Sequence, residues 1–116
     1  MKGDRLYLNH ILDCVTRVNE CVHDGRDKFL ADHVIQDAVL RNLQIMTEST
    51  QRLTQELKDR NPQVDWRGLS GFRNILVHEY LGVDLEIVWA LIDQKLSNIS
   101  QMAESELERL DQAGGS

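Results

Sequence analysis

The spacing of apolar residues most limits the folds open to this chain. Leu8, Ile11, Leu12, Val15, Val18 and Val22 recur at intervals of three and four, the repeat of one helical face. A second row, Tyr7, Ile11, Cys14, Val18 and Cys21, runs beside it, a width that predicts packing against more than one neighbour. The same period returns in Ile35, Val39, Leu43, Met46, Thr50, Leu53 and Leu57, and again in Leu85, Val88, Ile92, Leu96, Ile99, Leu107 and Leu110. Strand-type alternation is scarce and there is a single proline. Punctuation separates the segments. His23 to Asp27 breaks the first, with Gly25 placed as a helix C-terminal cap, and Asp32 stands as an N-cap for the second. Asn61-Pro62 ends that one, and Gly82 and Asp84 precede the last. The pattern predicts helices over about 8–22, 32–59, 65–80 and from 85 onward, with a polar tail from about Asp111. At 116 residues this is one domain, 1–116, and the expected fold is all-α, an antiparallel four-helix bundle.

Charge narrows the function. With 13 Lys+Arg against 19 Asp+Glu the net charge is -6, so no global field draws in a polyanion and any nucleic-acid chemistry must be local. No run approaches the roughly 18 apolar residues of a membrane span, and Met1 to Asp4 opens no signal peptide. The expectation is a soluble cytoplasmic protein. Cys14 and Cys21, seven apart on a helix, would lie about 10 Å apart, too far for a disulfide, and read as small apolar side chains.

The third segment is the local inconsistency. Trp66, Leu69, Leu76 and Tyr80 form an apolar row with Arg73 in its middle, and Arg67, Ser70, Gly71, Asn74 and His78 form a polar row beside it. Arginine cannot shed its charge, so Arg73 needs a carboxylate, a phosphate or water. One reading makes it structural, paired with Glu48, Asp13 or another acid or reaching the surface. The other gathers a permanent cation, an imidazole, an amide and a phenol within two turns, groups suited to metal-free phosphodiester cleavage. On that reading Gly71 leaves room for a close approach. His78-Glu79 is not a zinc-protease motif, because Gly82 stands where the second His belongs, and His10, His23 and His33 lack ligand spacing. Glu104, Glu106 and Glu108 read as a solvated helix face.

Arg73-Asn74-Ile75-Leu76-Val77-His78-Glu79-Tyr80 reads R-N-x-x-x-H-x-Y, which resembles the signature of the HEPN superfamily, in its HepT toxin branch. The resemblance extends to the helix order, to Gln44 to Glu48 and to Val83 to Trp89. One departure is Thr47-Glu48-Ser49, where relatives commonly read Gly-Glu-Ala, a change expected to touch packing rather than chemistry. The resemblance implies a metal-independent endoribonuclease, the toxin of a type VII HepT/MntA toxin-antitoxin pair, with no cofactor. It implies Arg73 and His78 as catalytic residues and Asn74 in support. Tyr80 would be the residue that an MntA-type nucleotidyltransferase modifies with AMP to silence the toxin. It further implies a homodimer whose two motifs line one cleft, which would supply both a base and an acid from two copies of His78. Tyr80 shares the Arg73 face if the helix runs that far, which would set an attached phosphate beside Arg73. The dimer surface is expected on side rows such as Val34, Ala38 and Ile45. Arg67 and Arg73, doubled by a twofold axis, would make a small cationic cleft for RNA in an acidic protein. Two alternatives remain: a non-catalytic HEPN module that binds nucleotide or a nucleotidyltransferase, and a dimeric scaffold with a buried Arg73 ion pair.

Overall fold

The computed structural model describes residues 2 to 114 as helices joined by short turns, with no strand among them. The elements are α1 (Lys2–Cys21), α2 (Arg26–Ala31), α3 (His33–Gln51), α4 (Gln55–Arg60), α5 (Trp66–His78) and α6 (Leu85–Gly114), with a 3-10 turn at Tyr80–Gly82. The four long helices α1, α3, α5 and α6 are the four segments read from the periodicity. Asp32 caps α3 as expected, its carboxylate accepting from the backbone N–H of Val34 at 2.9 Å and Ile35 at 3.4 Å.

Several boundaries differ, each for a physical reason. The break after α1 leads into the extra helix α2, because Gly25 takes φ 94° and turns the chain so that Phe29 is fully buried against Trp89. The predicted helix 32–59 is two helices. At the break the Asp4 carboxylate of α1 accepts from the Thr54 N–H (2.9 Å) and hydroxyl (2.7 Å), and Thr54 in turn caps α4 through the Leu57 N–H. The donors of a helix start thus find partners, and Leu53 and Leu57 stay buried on either side of it. Helix α6 includes Asp111 to Gly114 of the expected polar tail, with Arg5 on α1 at 2.8 Å from Asp111. The final Gly115 and Ser116 of the expected tail, like Met1, lie outside the described residues.

Contacts fix the direction of the helices. Thr54, just past α3, meets Asp4 at the start of α1, Gln51 near the end of α3 bonds Ser70 early in α5, and Arg5 meets Asp111. The long helices are therefore antiparallel. They pack α5 on α3, α3 on α1 and α1 on α6. The core comprises Leu8, Ile11 and Val18 of α1, Val39, Leu43 and Met46 of α3, Leu76 of α5, and Val88, Ile99 and Met102 of α6, all almost wholly buried. The remaining seam, between α5 and the first half of α6, is open. There a groove of about 570 Å³ is lined by Leu69, Phe72 and Ile75 on one side and Ile87, Leu91 and Ile99 on the other. Cys14 is buried and Cys21 half-buried, both are free thiols, and burial pushes both thiol pKa values up. No described helix is long and apolar enough to cross a membrane.

Glu106 is not on a solvated face. It is buried at the end of the Ile99, Met102 row, where its carboxylate accepts from Arg60 Nη2 at 2.8 Å and Asn61 Nδ2 at 2.8 Å and so pins the end of α4 to α6. Burial pulls its pKa up, but the Arg60 and Asn61 hydrogen bonds outweigh that and hold it below the usual carboxylate value. A carboxylate with a depressed folded-state pKa stabilises the fold above its unfolded value and loses that contribution as pH falls through the folded one. Glu106→Gln should therefore cost about 1–3 kcal/mol at neutral pH, toward the low end because Arg60 is partly solvated. The variant should lose less stability than wild type on acidification below about pH 4.5. Urea unfolding of both proteins at pH 7 and pH 3 measures this, and equal acid sensitivity would refute it.

Candidate active site

Helix α5 carries the motif. Asp65 starts it, accepting from the Gly68 N–H at 2.9 Å, with Lys95 of α6 at 3.4 Å. The Gly68 bond and the Lys95 interaction hold Asp65 below the usual carboxylate range. A Cβ on Gly68 would collide with that carboxylate, so the cap depends on glycine there. Leu69, Phe72 and Leu76 bury the inner face.

Arg73 lies at the rim of that face, its side chain 32% exposed, and of the acids named as expected partners it meets Glu48 of α3, not Asp13. The pairing is loose. Nη2 stands 3.8 Å from Glu48 Oε2, Nη1 donates to Asn74 Oδ1 at 3.3 Å, and Nε is buried with no partner. The guanidinium thus keeps donors in hand.

His78 is the last residue of α5 and is exposed, and among the described residues its ring makes no hydrogen bond or ion pair. Asn74 and His78, four apart, share the outer row, as predicted. Arg73 and His78, five apart, point about 140° away from each other around the axis. One chain therefore joins Arg73 to Asn74 and aligns Asn74 with His78, without converging Arg73 and His78 on one point.

Tyr80 departs from the expectation that it shares the Arg73 face. Glu79 leaves helical geometry at φ -132°, ψ 34°, and Tyr80 opens a separate 3-10 turn, half-buried against the core. Leu81 beside it is 99% exposed. Gly71 faces open space, since a Cβ there would meet nothing within 4 Å, and it borders the α5–α6 groove. At the Thr47-Glu48-Ser49 departure, Thr47 and Ser49 are buried and Thr47 donates to the Gln44 carbonyl at 3.0 Å, a local packing role. Among the described residues no three His, Cys, Asp or Glu side chains are grouped to hold a metal.

The sequence reading missed a second polar pocket, between the end of α4 and the first turns of α5, walled by Lys58, Trp66 and Arg67. Its elements sit on either side of Asn61-Pro62, and no helical repeat relates them. The missed role of Glu106 had a signal, because it follows Met102 by four and precedes Leu110 by four in an otherwise apolar row.

An antiparallel all-α bundle whose third long helix ends in R-N-x-x-x-H, with the motif tyrosine in the turn that follows, defines the class of HEPN domains. Within that class the family model described as ribonuclease HepT-like matches residues 11–106, and the chain belongs to that family. It is 30% identical to a "Putative RNase" of Caldanaerobacter subterraneus subsp. tengcongensis, over 94% of this chain and 98% of the relative. It is also 29% identical to a "Probable ribonuclease HepT" of Thermococcus cleftensis, over 80% and 86%. A third relative, from Methanocaldococcus jannaschii, is named both as a gamma-glutamylcyclotransferase and as an RNase; the match is 30% identical, covering 95% of this chain but only 50% of that protein. No solved structure matches the chain.

Proposed function

We propose that residues 1–116 act as a single-domain, metal-independent endoribonuclease, with Arg73 and His78 as catalytic residues and Asn74 in support. The observation that carries this reading is the Arg73 guanidinium: a permanent cation with an unpartnered buried Nε and, among the described residues, one carboxylate as far as 3.8 Å has donors left for a phosphate. Exposed Asn74 adjoins it, and exposed His78 follows Asn74 by one turn on the same helix. The family, and the names its relatives carry, supply RNA as the substrate.

The site is composite. Cleavage through the ribose 2′-OH needs a base for that hydroxyl and an acid for the leaving oxygen, and one chain offers one motif imidazole, turned away from Arg73. The α5–α6 groove, rimmed by exposed Ile75 and Ile87, borders the Gly71, Asn74, His78 row. A second copy seated there would cover an apolar surface and bring its motif beside this one, which favours the groove over the Val34, Ala38, Ile45 row. In the shared cleft one His78 takes the proton of the 2′-OH, whose oxygen attacks phosphorus. The P–O5′ bond breaks, and the other copy's protonated His78 gives its proton to the 5′ oxygen, leaving a 2′,3′-cyclic phosphate and a 5′-OH. Arg73 stabilises the charge that builds on the phosphorane.

In the cytoplasm this nuclease serves as a toxin, silenced when an MntA-type nucleotidyltransferase transfers AMP to the Tyr80 hydroxyl. Tyr80 opens the turn directly after α5, with fully exposed Leu81 beside it. The AMP would block the cleft from the His78 end, by proximity along the chain rather than from the Arg73 face.

The direct test is cleavage of total RNA in the presence of a chelator. Wild type should cleave, whereas intact RNA at high enzyme concentration would leave the non-catalytic nucleotide- or nucleotidyltransferase-binding module. Tyr80→Phe should cleave at the wild-type rate and keep that rate after incubation with the nucleotidyltransferase and ATP. Silencing of that variant would refute the Tyr80 route.

A further inference from the structure

The pocket between α4 and α5 is built for an anionic ligand in an otherwise acidic molecule. Lys58 and Arg67 stand on its wall, and neither makes an ion pair with a carboxylate among the described residues. Lys58 reaches only the Gln51 carbonyl, at 3.4 Å, and the Trp66 ring, 5.9 Å from its centroid. Arg67 is exposed and makes no hydrogen bond among the described residues. The pocket's one acid, Asp59, is already held by Gln55 Nε2 at 2.9 Å. Neither cation is tied up in an ion pair, although the Arg67 charge helps to hold the nearby Asp65 carboxyl low, so both keep donors for an anion.

The rest of the wall suits a nucleotide better than a bare anion. Trp66 is fixed by its Nε1–H, which donates to the Asn61 carbonyl at 3.0 Å, so its indole offers a rigid apolar surface to a base. Ser70 supplies a hydroxyl for sugar or base edges. Position then selects a strand over a free nucleotide. Arg67, Asn74 and His78 follow one outer row of α5, and from Arg67 to His78 is about 16 Å of helix, the length of roughly five stacked nucleotides at about 3.4 Å each.

We propose that the Lys58–Trp66–Arg67 pocket is a subsite that holds a flanking nucleotide of the RNA strand whose scissile phosphate lies at Arg73 and His78. This rests on the ribonuclease reading above. Lys58 and Arg67 take backbone phosphates, Trp66 takes the base, and the subsite supplies the local affinity that the overall charge withholds. All the chemistry remains at the other end of α5.

The test uses the full chain and a fluorescent twelve-nucleotide RNA with 2′-O-methyl riboses, which binds without being cut, titrated at several salt concentrations. Lys58→Gln/Arg67→Gln should bind it about tenfold more weakly, with the salt slope shallower by about 1.4, or about 0.7 for each lost phosphate contact. On cleavable RNA the double variant should raise KM and leave kcat unchanged, and on a three-nucleotide substrate it should match wild type. Unchanged affinity and slope in a double variant that still cleaves would overturn the subsite and leave the nuclease standing. Weakened binding by a protein that cuts no RNA would overturn the nuclease and leave an RNA-binding pocket. AMP binding that is as tight as the twelve-nucleotide RNA and lost in the double variant would make this a free-nucleotide site and overturn the strand assignment.

Discussion

Arg73→Ala is expected to lower RNA cleavage by at least about 10²–10³-fold, the typical effect of removing a preorganised donor to transition-state charge. In a twofold site both guanidiniums go at once, so the loss should lie at the upper end. The fold should survive. Alanine is the best helix former, the side chain removed is at the rim of the core, and its contacts are a 3.8 Å ion pair and a 3.3 Å hydrogen bond. Such a partly solvated pair contributes within about 1 kcal/mol, so urea unfolding should scarcely change while the initial rate on labelled RNA collapses. Arg73→Lys should recover only part of the rate, because an ammonium is a point charge that cannot present a planar fork to two phosphate oxygens. Full activity in Arg73→Ala would end the assignment of this residue and, with it, the reading of the motif.

Periodicity located the four long helices because burial obeys it, yet burial is also why it hid the break between α3 and α4. Leu53 and Leu57 face the core on both sides of the interruption, so the apolar count runs straight through it. What breaks the helix is polar and remote in sequence, the Asp4 carboxylate meeting Thr54. Glu106 was misread for a similar reason: its two partners, Arg60 and Asn61, come from another helix. In the motif the residue types were legible and their arrangement less so. Helical spacing paired Asn74 with His78, and Glu48 of the loose contact was among the acids expected to meet Arg73. Tyr80 was assigned to the wrong face because nothing in the local sequence marks Glu79 as the residue where α5 ends. The pocket at Lys58, Trp66 and Arg67 depends on how the chain turns at Asn61-Pro62, which no repeat encodes.

That arrangement also changes what the net charge of -6 means. Several cations are paired locally: Arg5 with Asp111, Arg26 with Glu86, Lys28 with Asp32, Arg60 with Glu106 and Lys95 with Asp65. Among the described residues Lys58 on α4 and Arg67 on α5 make no ion pair, and Arg73 on α5 has only a distant one. An RNA strand would thus meet a protein whose overall charge repels it, with Lys58, Arg67 and Arg73 placing cations along and beside α5 where phosphates would sit.

Mixing His78→Ala subunits with wild type should reveal how many imidazoles one cleavage event needs. If each cleft draws its base from one subunit and its acid from the other, only a dimer with two intact His78 residues is active. Random reassortment at equal proportions would then leave about a quarter of the activity per dimer, and a larger excess of the variant would lower it as the square of the wild-type fraction. If each chain carried a complete site, half would remain and the decline would be linear. The pure His78→Ala protein should be inactive yet folded and dimeric, since an exposed ring at the end of α5 with no partner among the described residues contributes little to stability. Subunits exchanged in mild denaturant, with mass measured by light scattering beside the rate, provide the check. A linear decline, or full activity in a species with the mass of one chain, would remove the composite cleft and require a second proton-transfer group within the single chain. Arg73 and His78, about 140° apart on α5, make that outcome geometrically costly, because one phosphate would have to reach around the helix to touch both.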